Sequence, residues 1–155
     1  MTLIDQTLLD ALSTEARQAP RGRKNRNFHP SDDFPAHRLL NAIEPGSYVM
    51  PHRHLDPAKG ETIVVVRGAV GIVLFDDEGA VTATHRLVAG GEVVGIDLPA
   101  GTWHSVLGLQ PGSVFFEAKA GPYVAMQAAE RAPWAPAEGD AAATAYQTSL
   151  AQRFA

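Results

Sequence analysis

The sequence has no cysteine, so disulfides, thiolate metal sites and a cysteine nucleophile are excluded from its chemistry. No apolar run is long enough to span a bilayer as a helix. The opening Met-Thr-Leu-Ile-Asp-Gln has neither a basic nor an apolar leader segment, so no signal peptide is expected and the cytoplasm is the expected compartment. An excess of positive charge is absent too. Lys and Arg number 13 against 17 Asp and Glu, a net charge of −4, which argues against non-specific nucleic-acid binding. Nor is there an internal repeat at solenoid spacing or a long low-complexity run. Charged residues make up only 19% of the chain and apolar residues 45%, the balance of a globular protein with a core. A chain of 155 residues can bury roughly 70% of the surface exposed when unfolded.

What is present is organised in three parts. Leu3, Ile4, Leu8, Leu9 and Leu12 recur at helical spacing and predict a helix over residues 3–17, capped by Thr2 with Asp5 in its first turn. Residues 18–37, with Pro20, Gly22, Pro30 and Pro35, read as irregular. Short β-type segments follow at 38–43, 47–52, 61–67, 69–76, 80–88, 93–98, 103–108 and 113–118. Turn signals such as Glu44-Pro45-Gly46, Arg67-Gly68 and Pro99-Ala100-Gly101 separate them, the pattern of an all-β sandwich or barrel. After Lys119 the composition shifts to a Pro-rich stretch around Trp134. A weak helix is expected from Asp140 to Phe154, rich in alanine and therefore expected to bury little. The expected organisation is a helix and basic arm over 1–37, a barrel over 38–123 and an extension over 124–155, together one structural domain.

The chemistry-bearing residues are histidines and a glutamate. His52 and His54 alternate with Arg53 on an extended segment, so both imidazoles share a face and can grip one ion. Glu61 opens the next strand and can add a carboxylate, and His104 starts a later one. Three imidazoles and one carboxylate suit zinc, iron, manganese, nickel or copper. Each piece alone has an ordinary reading: an incidental His pair, a solvated Glu, a hydrogen-bonded His. Around them, Arg17, Arg21, Arg23, Lys24, Arg26 and Arg38 make the arm locally basic, opposed there only by Asp32 and Asp33. The arm reads either as a solvated surface or as a rim that attracts an anion. His29 and His37 read as structural, His85 as exposed, and Trp103 and Trp134 as packing anchors.

The stretch Gly46-x5-His52-x-His54-x6-Glu61-x6-Gly68 resembles the first motif of the cupins, and Pro99-x-Gly101-x2-His104 resembles the core of the second. Cupins are small jelly-roll barrels, or double-stranded β-helices. The resemblance implies that His52, His54, Glu61 and His104 bind one divalent transition metal inside the barrel: iron, zinc, manganese or nickel. The His54-to-Glu61 gap is longer than the commonest cupin spacing. Further segments narrow the likeness. Arg23-Lys24-Asn25-Arg26-Asn27-Phe28-His29, Leu74-Phe75-Asp76-Asp77-x-Gly79 and Ala132-Pro133-Trp134-Ala135-Pro136-x-Glu138-Gly139 are similar to the WbuC-type cupins, over roughly residues 20–140. That family is associated with bacterial surface-polysaccharide genes. At Gly60, similar sequences carry a bulky aromatic, so more open space near the metal is expected here.

The resemblance implies a metal-dependent enzyme acting on a small polar or anionic, sugar-like substrate, by isomerisation or oxygen chemistry. Arg23, Lys24, Arg38 and Lys119 are the expected substrate-binding residues, with Arg23 and Arg38 alternatively paired to carboxylates that fasten the arm. Tyr123 and Glu117 are the expected proton-moving groups. The alternatives are a non-catalytic, metal-dependent binding module, a metal that merely clamps the barrel, and a metal-free sugar epimerase, against which the His and Glu clustering argues. A small-molecule ligand and a homodimer are the expected partners, with no nucleic acid and no membrane.

Overall fold

A computed structural model describes residues 1–155. Helix α1 (Gln6–Gln18) leads into β1 (Arg23–Asn27), β2 (Ala36–Ile43), β3 (Glu61–Arg67), β4 (Ala69–Phe75), β5 (Val81–Val88), β6 (Gly95–Leu98), β7 (Trp103–Gly108) and β8 (Ser113–Ala120), and helix α2 (Ala143–Ala151) closes the chain. The strands form two antiparallel sheets, one ordered β1-β2-β8-β3-β6 and one ordered β5-β4-β7. Period-two alternation turns Ile43, Ile63, Val65 and Phe115 of the first sheet inward, where they meet Val70, Ile72, Leu87 and Val106 of the second. This is the jelly-roll arrangement expected from the sequence.

Both sheets are also covered on their outer faces. On the five-stranded sheet, α1 lays Leu9, Leu12 and Ala16 against Leu40, Ala42 and Val114. On the three-stranded sheet, the C-terminal segment brings Ala132, Ala135 and Leu150 against Val73, Phe75, Trp103 and Leu107. Strand β7 is consequently buried along its whole length and β4 at all positions but one, which explains their near-continuous apolar character. Phe154 packs directly over Gly71, so tightly that a Cβ there would meet the ring at 2.6 Å.

Four expectations are corrected. The first helix begins at Gln6, not residue 3, because Asp5 is the cap: its carboxylate accepts from the Leu8 amide at 2.9 Å. The 18–37 stretch is not wholly irregular, since Arg23–Asn27 pairs with β2 as an edge strand. Its polar composition hid it, because an edge strand pairs through its backbone and here leaves most of its side chains exposed. The 47–52 segment is no strand. It contributes two isolated bridges, His52 to His104 and His52 to Arg131. The tail helix buries more than its alanines suggested, as Leu150 is 3% exposed. No helix is long and apolar enough to cross a membrane.

Candidate metal centre and its two cavities

The His52–His104 bridge builds the centre. The His52 amide donates to the His104 carbonyl at 3.0 Å, and the His104 amide returns a bond to the His52 carbonyl at 2.9 Å. This reciprocal pair sets the two imidazoles side by side, with ring centroids 4.4 Å apart. A further bond, from the Gly101 amide to the His54 carbonyl at 2.7 Å, ties the first histidine segment to the turn before β7. Glu61, the first residue of β3, faces the same interior space. Ligand atoms of His52, His54 and Glu61 lie within 4.8 Å of one another, a group that can hold a metal ion. His104 joins it through Glu61, with Nε2 3.2 Å from Oε2, while His54 Nε2 lies 2.8 Å from Oε1. Glu61 and His104 are almost wholly buried, at 4% and 3% exposure.

The donor chemistry fits a cation. Nδ1 of His52 faces the Met50 carbonyl at 3.0 Å, and Nδ1 of His104 faces the Thr102 carbonyl at 2.9 Å. A carbonyl only accepts, so each Nδ1 carries a proton and each ring turns its Nε2 toward the group. For His104 that nitrogen lies 3.2 Å from a Glu61 carboxylate oxygen. A nitrogen and an oxygen so placed can both ligate one ion, and backbone bonds that orient the far nitrogen are the usual support of a metal-ligating histidine.

The same packing shifts the acid–base properties. Desolvation, helped by neighbouring His104, pulls the His52 imidazole down to about 3. Burial opposes ionisation of Glu61, but hydrogen bonds from His104 and His54 and the charge of Lys119 outweigh it and hold the carboxyl well below the usual range. Both shifts make the metal-free protein acid-labile. Both groups are depressed in the folded state, so the unfolded chain takes up the protons first. Stability is expected to be full above about pH 6.5, to fall as pH drops toward about 3 while unfolded His52 protonates, and to fall further below about 4.5 through Glu61. Urea midpoints measured in chelator across this range check the slope, and His52→Asn is expected to flatten its upper part.

Two cavities meet at this group, with His52 and Lys119 in the walls of both. The inner one, about 190 Å³, has an apolar floor of Ile43, Ile63, Val106 and Phe115 under Arg23, Lys24, Asn41, Glu117, Lys119, Glu61 and His104. It exceeds the roughly 150 Å³ that encloses a benzene ring. The outer one, about 300 Å³, is bordered by His37, His54, Leu55, Lys59, Tyr123, Val124, Met126 and Glu130.

The structure places the expected residues unevenly. Glu117 and Lys119 lie on the inner face of β8 beside Glu61, with Lys119 Nζ 2.6 Å from Glu117 and 2.9 Å from Glu61. Burial alone would lower the Lys119 ammonium, but Glu117 and Glu61 outweigh it and push the pKa up. Arg23 reaches the inner cavity but is also paired with Glu138 of the C-terminal segment and with the Tyr48 carbonyl at 2.8 Å. Lys24 lines the same cavity and lies 3.7 Å from Glu15. Tyr123 borders the outer cavity and is 62% exposed. Arg38 is not brought to either cavity, since it points outward from β2 and reaches the Phe28 carbonyl at 3.5 Å. A Cβ on Gly60 would meet the Leu98 carbonyl at 3.2 Å. His29 and His37 stack face to face, centroids 3.9 Å apart, and both are buried. Sequence reading missed Asn41, whose Nδ2 donates to Glu117 at 2.9 Å. Its inward place in the alternation of β2 was the available signal.

Fold and site together define a cupin-fold protein with a His–Glu group able to hold a metal ion. The family model described as Domain of unknown function (DUF6016) matches residues 4–87, and the chain belongs to that family. Among solved structures, KdgF from Halomonas sp. matches with a TM-score of 0.52 and 20% identity, covering 68% of this chain and 84% of that one. SPY1581, a conserved protein of unknown function from Streptococcus pyogenes, matches at 0.50 and 14% identity, covering 70% and 86%. At these identities the likeness shows the fold alone. No curated protein matches the sequence.

Proposed function

We propose that the protein is a metal-dependent enzyme of the WbuC type, acting on a small polar or anionic, sugar-like substrate linked to surface-polysaccharide metabolism, and working as a cytoplasmic homodimer. The observation that carries this reading is the facing of His104 Nε2 and Glu61 Oε2 in a buried site that opens on a cavity with basic walls. His52, His54, Glu61 and His104 hold the ion. The chemistry a divalent ion supplies when bound is polarisation of a carbonyl or hydroxyl oxygen, or activation of water or dioxygen. Arg23, Lys24 and Lys119 supply positive charge for an anionic group, for which guanidinium forks are well shaped. Glu117 on the inner wall and Tyr123 at the outer opening are the groups offered for proton movement. The apolar floor excludes water from one face of the ligand.

The test is a thermal-shift screen of the metal-loaded protein against sugar acids and other small anions, with each hit followed for turnover by NMR. A hit is expected to raise the melting temperature of the parent, to lose that effect in Arg23→Ala at equal metal content, and to be converted. Hits that bind and never turn over would replace the enzyme by a binding module.

A further inference from the structure

We infer that Lys119 is a positioning residue that restricts Glu61 to one oxygen at the metal and so keeps a coordination position open for an incoming ligand. This inference rests on the metal reading above. Lys119 stands directly opposite Glu61 across the β3–β8 ladder, and Glu117 lies two residues earlier on the same inner face. Its ammonium is gripped from both sides, 2.9 Å from Glu61 Oε1 and 2.6 Å from Glu117 Oε1. Glu117 is in turn fixed by Asn41, through Oε2 at 2.9 Å. Asn41, Glu117 and Lys119 thus form a chain that ends on one particular oxygen of Glu61.

The other oxygen, Oε2, is the one that faces His104. A carboxylate can ligate through one oxygen or both. Charge-assisted bonds are the strong ones, so the ammonium competes effectively for the lone pairs of Oε1. An ion drawn onto Oε1 would also approach a buried ammonium, and like charges in such surroundings repel strongly. Both effects favour ligation by Oε2 alone. A six-coordinate ion such as Mn(II) with three imidazoles and one carboxylate oxygen keeps positions free, which catalytic sites need and structural sites lack. The ammonium has three protons. One is donated to Glu61 Oε1, and Lys119 lines both cavities, where another can meet a ligand.

The test loads the full-length protein with Mn(II) and measures water-proton relaxation per bound ion, a readout of metal-bound exchangeable water that a purely structural salt bridge would not move. Lys119→Met leaves Glu117 a buried charge without its cation, so the double variant Lys119→Met/Glu117→Gln is measured beside Glu117→Gln. At full occupancy the parent, Lys119→Arg and Glu117→Gln are expected to show the relaxation of bound water. Lys119→Met and the double variant are expected to show less of it, as Glu61 takes a further position on the six-coordinate ion with its second oxygen. A double variant that relaxes water as Glu117→Gln does overturns the inference. So does a folded double variant that no longer holds Mn(II), since Lys119 would then be needed to retain the ion and not to limit Glu61. Failure of the parent itself to take up Mn(II) overturns the metal reading, and this inference with it.

Discussion

Replacing His52 and His104 together with alanine is expected to reduce bound divalent metal from about one equivalent per chain to almost none. The two imidazoles are the pair set side by side by the reciprocal backbone bridge, and that bridge uses only main-chain atoms, so it survives the substitutions. What remains is His54 and Glu61, two ligands, one of whose carboxylate oxygens is already shared with Lys119. Two ligands do not make a closed or a catalytic first coordination sphere for a transition metal. Elemental analysis of gently purified parent and double variant, side by side, reads the effect. His85→Ala, at an exposed position on β5, is the control and is expected to keep the parent's metal. Equal metal in parent and double variant would place the ion elsewhere.

The second large effect lies far from the site. Leu150→Ala is expected to cost about 2–5 kcal/mol of stability, the range for deleting a buried leucine side chain. Leu150 belongs to the cluster that seals the outer face of the three-stranded sheet with Val73, Phe75, Trp103 and Leu107. Trp103 immediately precedes His104, and its Nε1 donates to Asp77 at 2.9 Å, so the same layer steadies the strand that carries His104. Urea unfolding checks the size of the loss, with Arg153→Ala, on the exposed side of the tail, expected to stay within about 0.5 kcal/mol. A Leu150→Ala midpoint equal to the parent's would mean that the tail is an ornament on the barrel.

The barrel strands were legible in the sequence because each is a short run of alternating or, in β4, near-continuous apolar residues set between turn signals. The grouping of His52, His54 and Glu61 was legible for a related reason, since alternation and motif spacing are local. What was not legible depends on contacts distant in sequence. β1 carries Arg, Lys and Asn and looks like a loop until β2 supplies its ladder partners. The tail helix looks weakly amphipathic because the surface it covers is supplied by β4 and β7. The 47–52 segment has β-type residues but pairs only through two isolated bridges at His52. Arg23 was readable as a cavity cation, yet its pairing with Glu138 joins positions 115 residues apart. The chain from Asn41 through Glu117 and Lys119 to Glu61 likewise needs three strands in register before it exists.

The central claim is that His52, His54, Glu61 and His104 surround one ion. Anomalous diffraction at the metal edges, on crystals of protein purified without chelators and then soaked with Mn(II) or Zn(II), tests it most directly. The account predicts a single strong peak among the four side chains, with histidine nitrogens at about 2.0–2.1 Å if the ion is zinc. Crystals that bind the soaked metal only at surface carboxylates, leaving His104 hydrogen-bonded to Glu61, would contradict it.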